Sequence, residues 1–119
     1  MDAYNEEAEL DRYVWDYHSD LLSEFELRVQ RAHRTELKAA VASESMARVL
    51  RKRWGVEGDD EVGAALANGW VAFRSAARAR VLRDHADDLV INRCPVCRCV
   101  VKTPRARQCL WCGHDWHDR

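Results

Sequence analysis

Apolar positions recur every three or four residues over most of the chain. Leu10, Val14, Tyr17, Leu21, Phe25 and Val29 follow one another at spacings of four, three, four, four and four, which is the repeat of one face of an α-helix. No glycine or proline interrupts the chain before Gly55, and both residue types disfavour helix interiors. Two polar segments inside the stripe offer competing helix starts. One is His18-Ser19-Asp20; the other is Ser23-Glu24-Phe25-Glu26, which has the serine and glutamate of a capping box. The stripe passes through both without losing phase, so it predicts a continuous first helix to about His33. Thr35 is then placed to cap a second helix with Leu37, Val41, Met46, Val49 and Leu50 on its apolar side. The pattern leaves open whether the chain bends at 33–35 or runs on as one rod.

The second helix has a firm end. Arg51-Lys52-Arg53 puts cations in the last turn, where the helix dipole favours them, and Gly55 can take a left-handed cap. Asp59 or Asp60 is a cap for a third helix, with Glu61 adding negative charge to its first turn. Its stripe is Val62, Leu66, Trp70, Phe73, Ala77 and Val81. Asn68-Gly69 within it is a turn signal. A close-packing glycine in one continuous helix is the favoured reading, with two short helices as the alternative. Beyond His85 the period changes. Leu89-Val90-Ile91 and Cys99-Val100-Val101-Lys102-Thr103 have strand character, and Pro104 marks a loop between the two halves of this segment.

Composition agrees with a helical reading: the chain of 119 residues has two prolines and five glycines. With 47% apolar residues it can build a modest core, and no apolar run is long enough to span a membrane. The first residues are acidic, unlike the basic start of a signal peptide, so a cytoplasmic location is expected. Net charge is −1, but it is blocky. Residues 1–27 carry nine acids and one base, residues 28–54 eight bases and two acids, and residues 93–107 five bases and no acid. Such blocks suit helices that pair or dimerise by charge complementarity, though solvated faces produce the same pattern.

The chemistry concentrates in the last quarter. Cys94-Pro95-Val96-Cys97 and Cys109-Leu110-Trp111-Cys112-Gly113 are separated by eleven residues. In a reducing compartment, two Cys-x-x-Cys pairs at this separation point to a four-thiolate metal site. A tight turn aims both sulfurs of a pair to one side, and nearby backbone N–H groups can bond the thiolates. The segment resembles a zinc ribbon of the rubredoxin-like knuckle kind over about residues 89–117. That resemblance implies Cys94, Cys97, Cys109 and Cys112 as ligands of Zn2+, with iron as the alternative metal. Arg98 departs from the pattern, since it stands where such ribbons have glycine. Cys99 is a fifth cysteine, read as a small structural residue rather than a substitute ligand, and His114 and His117 are surplus to a filled site.

Four thiolates leave no open position for hydrolysis, so the site reads as a folding staple. Helical proteins with a rubredoxin-like end include rubrerythrin, whose di-iron centre needs Glu-x-x-His pairs. No histidine here has glutamate three residues before it, which excludes that chemistry. No phosphate-cradling glycine loop or nucleophile motif is present, and the protein reads as not an enzyme. The basic residues Arg98, Lys102, Arg105 and Arg107 lie beside Trp111, a combination suited to single-stranded nucleic acid. The same cations can simply balance the thiolate charge.

The expectation is therefore a mainly α protein. Three amphipathic helices, forming an antiparallel bundle or long hairpin, occupy residues 1–88, and a small C-terminal β zinc ribbon occupies residues 89–119. Its expected function is that of a metal-stabilised, non-catalytic interaction module with a protein partner or homo-oligomer on the helices. Nucleic-acid binding by the basic ribbon loop is the alternative, and no membrane partner is expected.

Overall fold

A computed structural model of the chain describes residues 3–117; Met1, Asp2, Asp118 and Arg119, at the outer ends of the two expected domains, lie outside the described residues. Five helices form: α1 (Glu6–Tyr17), α2 (Glu24–Val41), α3 (Glu44–Trp54), α4 (Asp60–Ala65) and α5 (Trp70–Asp84). None is long and apolar enough to cross a membrane.

The expected three helices become five because local caps override the stripe. The first break falls at 18–23, where Ser23 accepts from the Glu26 amide and the Glu26 side chain accepts from the Ser23 amide. Both halves of the capping box are thus made, and they start a new helix. Thr35 does not cap anything. It is buried inside α2 and donates to the Arg31 carbonyl one turn back, at 2.8 Å. The second start is instead Ser43, which accepts from the Met46 amide. Asp59 does cap α4, through the Val62 amide. The long third helix is broken at Gly69, whose φ of +91° lies in the left-handed region. A Cβ there would meet nothing within 4 Å, so this glycine serves backbone conformation, not close packing. Gly55 differs again: its φ is −87°, and the left-handed cap does not form there.

The chain divides into two compact units, one comprising residues 22–74 and the other the residues up to Leu21 together with those from Ser75 onward. In the 22–74 unit, Val29, Ala32 and Val62 form a buried core under Phe25, Val56, Leu66, Trp70 and Phe73. Here α2 and α3 fold back on each other across 42–43, so that Glu36 reaches Arg51 Nε at 3.2 Å and the Val56 amide at 3.1 Å. In the other unit, Leu10, Tyr13 and Val100 are packed by Leu82 and Ile91. Asp11 on α1 is buried there, accepting from Ser75 Oγ at 2.5 Å and from Arg78 Nε at 2.8 Å. A buried carboxylate is tolerable only with such partners.

The expected β ribbon is not found. Among the described residues there is no strand, and the cysteine segment shows only two isolated antiparallel bridges, Arg93 with Val100 and Gln108 with Asp115. Val90 is 83% exposed rather than sheet-buried. The reason lies in where the backbone hydrogen bonds go. The Val100 amide donates to Tyr4 Oη (2.9 Å) and the Asn92 amide to Tyr13 Oη (3.2 Å). Arg12 caps the carbonyls of Val101 and Lys102, and the Asn92 side chain caps those of Thr103 and Ala106. Side chains of Tyr4, Arg12, Tyr13 and Asn92 take several of the donors and acceptors that a ladder would have paired, and only short backbone pairings remain, such as the Val101 amide to the Asn92 carbonyl at 3.1 Å.

Candidate metal centre

Each Cys-x-x-Cys pair folds into the same tight loop. The amides of Val96 and Cys97 point at Cys94 Sγ (3.4 and 3.5 Å), and those of Trp111 and Cys112 at Cys109 Sγ (3.3 and 3.4 Å). Each loop is closed by the first cysteine's carbonyl, which accepts from Arg98 in one case and Gly113 in the other, both at 2.9 Å. The first cysteine's amide then bonds the carbonyl of Cys99 or His114. Both loops need a left-handed residue after the second cysteine. Gly113 has φ +82°, and Arg98 takes φ 66° despite its side chain.

The loops face each other. Cys94 Sγ lies 3.6 Å from Cys112 Sγ and Cys97 Sγ 3.5 Å from Cys109 Sγ, with all four sulfurs within 4.8 Å of one another. A tetrahedral thiolate shell with bonds of about 2.3 Å needs sulfurs about 3.8 Å apart, so the residues fit a zinc-sized ion. All five cysteines are free thiols. Cys94 and Cys109 are buried with Val101, under Cys97, Ala106, Trp111 and Trp116. Cys99 and His114 hold matching places in the two loops, and neither belongs to the ligand group. His117 bonds the Asp115 carboxylate instead.

The protonation pattern fits the same chemistry. Burial opposes ionisation of Cys94, yet the amides of Cys97 and Val96 and the Cys112 thiol outweigh it and bring its thiol down to about 6. At Cys97 the Cys99 amide favours the thiolate, but burial and the neighbouring Cys109 thiol win, and the group rises to about 11. Cys112 rises to about 12, because burial and the adjoining thiols overcome the His114 amide. Cys97 and Cys112 thus resist ionisation beside their neighbouring thiols, and a cation among the sulfurs would lift that resistance.

The N-terminal segment locks onto the first loop. Tyr4 donates to Glu6 at 2.5 Å while accepting from Val100, and its ring stands edge-on to Trp111 at 4.9 Å. Glu6 also accepts from Arg93 at 2.6 and 3.0 Å. The Arg93 hydrogen bonds draw the Glu6 carboxyl below the usual range, and burial with the Glu6 bond pushes Tyr4 up to about 12. None of this coupling is signalled in the sequence, because the partners are far apart along the chain.

Four of the five residues expected at a nucleic-acid surface fall on different concavities of the cysteine segment. Arg98 sits exposed on the first loop. Lys102 and Trp111 line a cavity of about 430 Å³ together with Glu9, Asp16, Tyr17 and Leu110. Arg105 and Arg107 line a separate concavity with Asn92 and Trp116. Sequence reading missed the cavity beside Trp111, since its lining joins the end of α1 to the second cysteine loop. Comparison of the chain with protein-family models, curated proteins and solved structures produced no match.

Proposed function

We propose that Cys94, Cys97, Cys109 and Cys112 hold a structural divalent metal, zinc with iron as the alternative, in a non-catalytic interaction module of the reducing cytoplasm. The observation that carries this reading is the clustering of four sulfurs within 4.8 Å, on two loops whose own amides point at the sulfurs. When bound, the metal supplies thiolate charge neutralisation and a cross-link between two loops that share no sheet. The chain's residues do the rest: Arg93 and Glu6 fix the first loop, and Val101 with Trp116 shields the sulfurs.

The interaction role rests on α2 and α3. Leu37 and Val41 on one helix are 59% and 88% exposed, and Met46 and Val49 on the other 52% and 57%. Each pair shares a helix face by spacing, and large exposed aliphatics in close sequence mark an association surface. Self-association through this hairpin is the favoured form.

Metal analysis of protein purified without added zinc should find close to one equivalent of zinc or iron. Less than about half an equivalent, with the four thiols oxidised in pairs, would sink the metal reading. Light scattering at about 100 μM should show a dimer or larger species that Val41→Asp with Val49→Asp converts to monomer. A wild-type monomer at that concentration removes the association reading and leaves the metal site untouched.

A further inference from the structure

Six of the eight cations between Arg28 and Arg53 have no acidic partner among the described residues. Arg28 is matched, 2.8 Å from Asp59 and 3.5 Å from Glu61, and Arg51 lies 3.2 Å from Glu36. The unmatched ones are Arg31, Arg34, Lys38, Arg48, Lys52 and Arg53. The helix dipole accounts for cations in the last turn of α3, but not for those in the body of α2.

Two of the unmatched guanidinium groups meet in one place. Arg28 and Arg31 on α2, with Arg53 and Trp54 at the end of α3, line a concavity of about 150 Å³. A single carboxylate, Asp59, shares its wall, and it is already engaged by Arg28 and by the Val62 amide at 3.2 Å. Three cations against one spent acid leave the concavity electropositive. Trp54 is 43% exposed, and the Arg53 guanidinium lies over its ring at 4.5 Å from the centroid.

We propose that this concavity receives one phosphate of a single-stranded nucleic acid, held by Arg31 and Arg53, with an adjoining base stacked on Trp54. Planar guanidinium forks suit phosphate oxygens, and an exposed indole is a sequence-tolerant platform for a base. The volume admits a phosphate and not a whole nucleotide, so the strand itself must lie outside. Arg34 and Lys38 follow Arg31 at spacings of three and seven on the same side of α2, where they continue the phosphate track. This site is separate from the cysteine loops and does not depend on the metal reading.

The test is fluorescence anisotropy of a labelled twelve-residue oligothymidylate with the full-length, metal-loaded chain. Saturable binding is expected, weakening steeply with salt in proportion to the phosphates neutralised. Arg31→Glu with Arg53→Glu should weaken it by about tenfold or more, and Trp54→Ala by about fivefold, with Trp54→Phe between that variant and wild type. Arg98→Glu with Arg105→Glu should change it by less than about twofold. Arg31→Gln with Arg53→Gln guards against a folding artefact, and every variant must keep the wild-type helical circular dichroism. The proposal is overturned by no saturable binding at about 100 μM protein, or by indifference to the Arg31 and Arg53 variants. Competition by inorganic phosphate or AMP as effective, per phosphate, as the oligonucleotide would also overturn it.

Discussion

The two cysteine loops carry nearly the same internal hydrogen bonds, yet they are supported differently. The first is braced from outside: Tyr4 takes the Val100 amide, Glu6 holds Arg93, and Arg93 in turn bonds the Arg98 carbonyl at 2.9 Å. The second meets the same tyrosine only through an edge-on contact with the Trp111 ring, and its Cys112 is exposed. The braced loop tolerates an arginine in left-handed backbone, whereas the less supported one uses glycine there. Tertiary contacts can hold a strained local conformation when neighbouring groups over-determine it. The contrast lies in what reaches each loop: side-chain hydrogen bonds from the N-terminal segment hold the first, whereas the second meets that segment through the Tyr4–Trp111 ring contact.

The largest effect should come from the cysteines. Cys94→Ser, at the buried anchor of the braced loop, should abolish metal retention and drop the thermal midpoint to that of the chelated protein, a loss of several kcal/mol. Cys112→Ser removes an exposed ligand and should leave weaker but measurable zinc uptake. Equal losses, by metal analysis and melting, would erase the distinction between the loops. Next is Tyr4→Phe, which leaves the Val100 amide without its acceptor at a cost of about 1–3 kcal/mol. Hydrogen exchange should rise at Val100 and stay unchanged at the Cys109 amide.

Smaller still are the left-handed positions. Gly113→Ala should destabilise by about 1 kcal/mol, and Arg98→Gly should stabilise by about 0.5 kcal/mol, because strain relief exceeds the added freedom of the unfolded chain. Matching effects at the two positions would argue against external bracing. The smallest effect is pH-dependent. The Glu6 carboxyl is depressed by Arg93, so its contribution is present above its ordinary value of 4.5 and is lost as pH falls through the lower folded value. The pair is partly solvated, so only a few tenths of a kcal/mol are at stake. The stability gap between wild type and Glu6→Gln should therefore close in acid, read as a difference in denaturant midpoint.

The helical stripe and the paired cysteines were legible in the sequence, since both are short-range patterns. The breaks were less so. The Ser23 box was visible, but a stripe that stayed in phase argued for continuity, and only the paired Ser23 and Glu26 bonds show which signal wins. At Gly69 the deciding quantity is φ, and the surrounding residues suit a helix on either side. The missing strands have another cause. Val100 and Val101 have strand propensity, but the Val100 amide and the Val101 carbonyl are taken by Tyr4 and Arg12, which stand at the opposite end of the sequence, and only the Val101 amide pairs across, with the Asn92 carbonyl.

The discontinuous unit has a consequence for how the chain acquires its structure. Residues 22–74 leave the ribosome as one uninterrupted stretch and find their core partners locally. The native partners of Tyr13 and Asp11 on α1, namely Ser75, Arg78, Asn92 and Val100, all come more than sixty residues later in the chain. Closing contacts over that separation costs more loop entropy than any contact within residues 22–74.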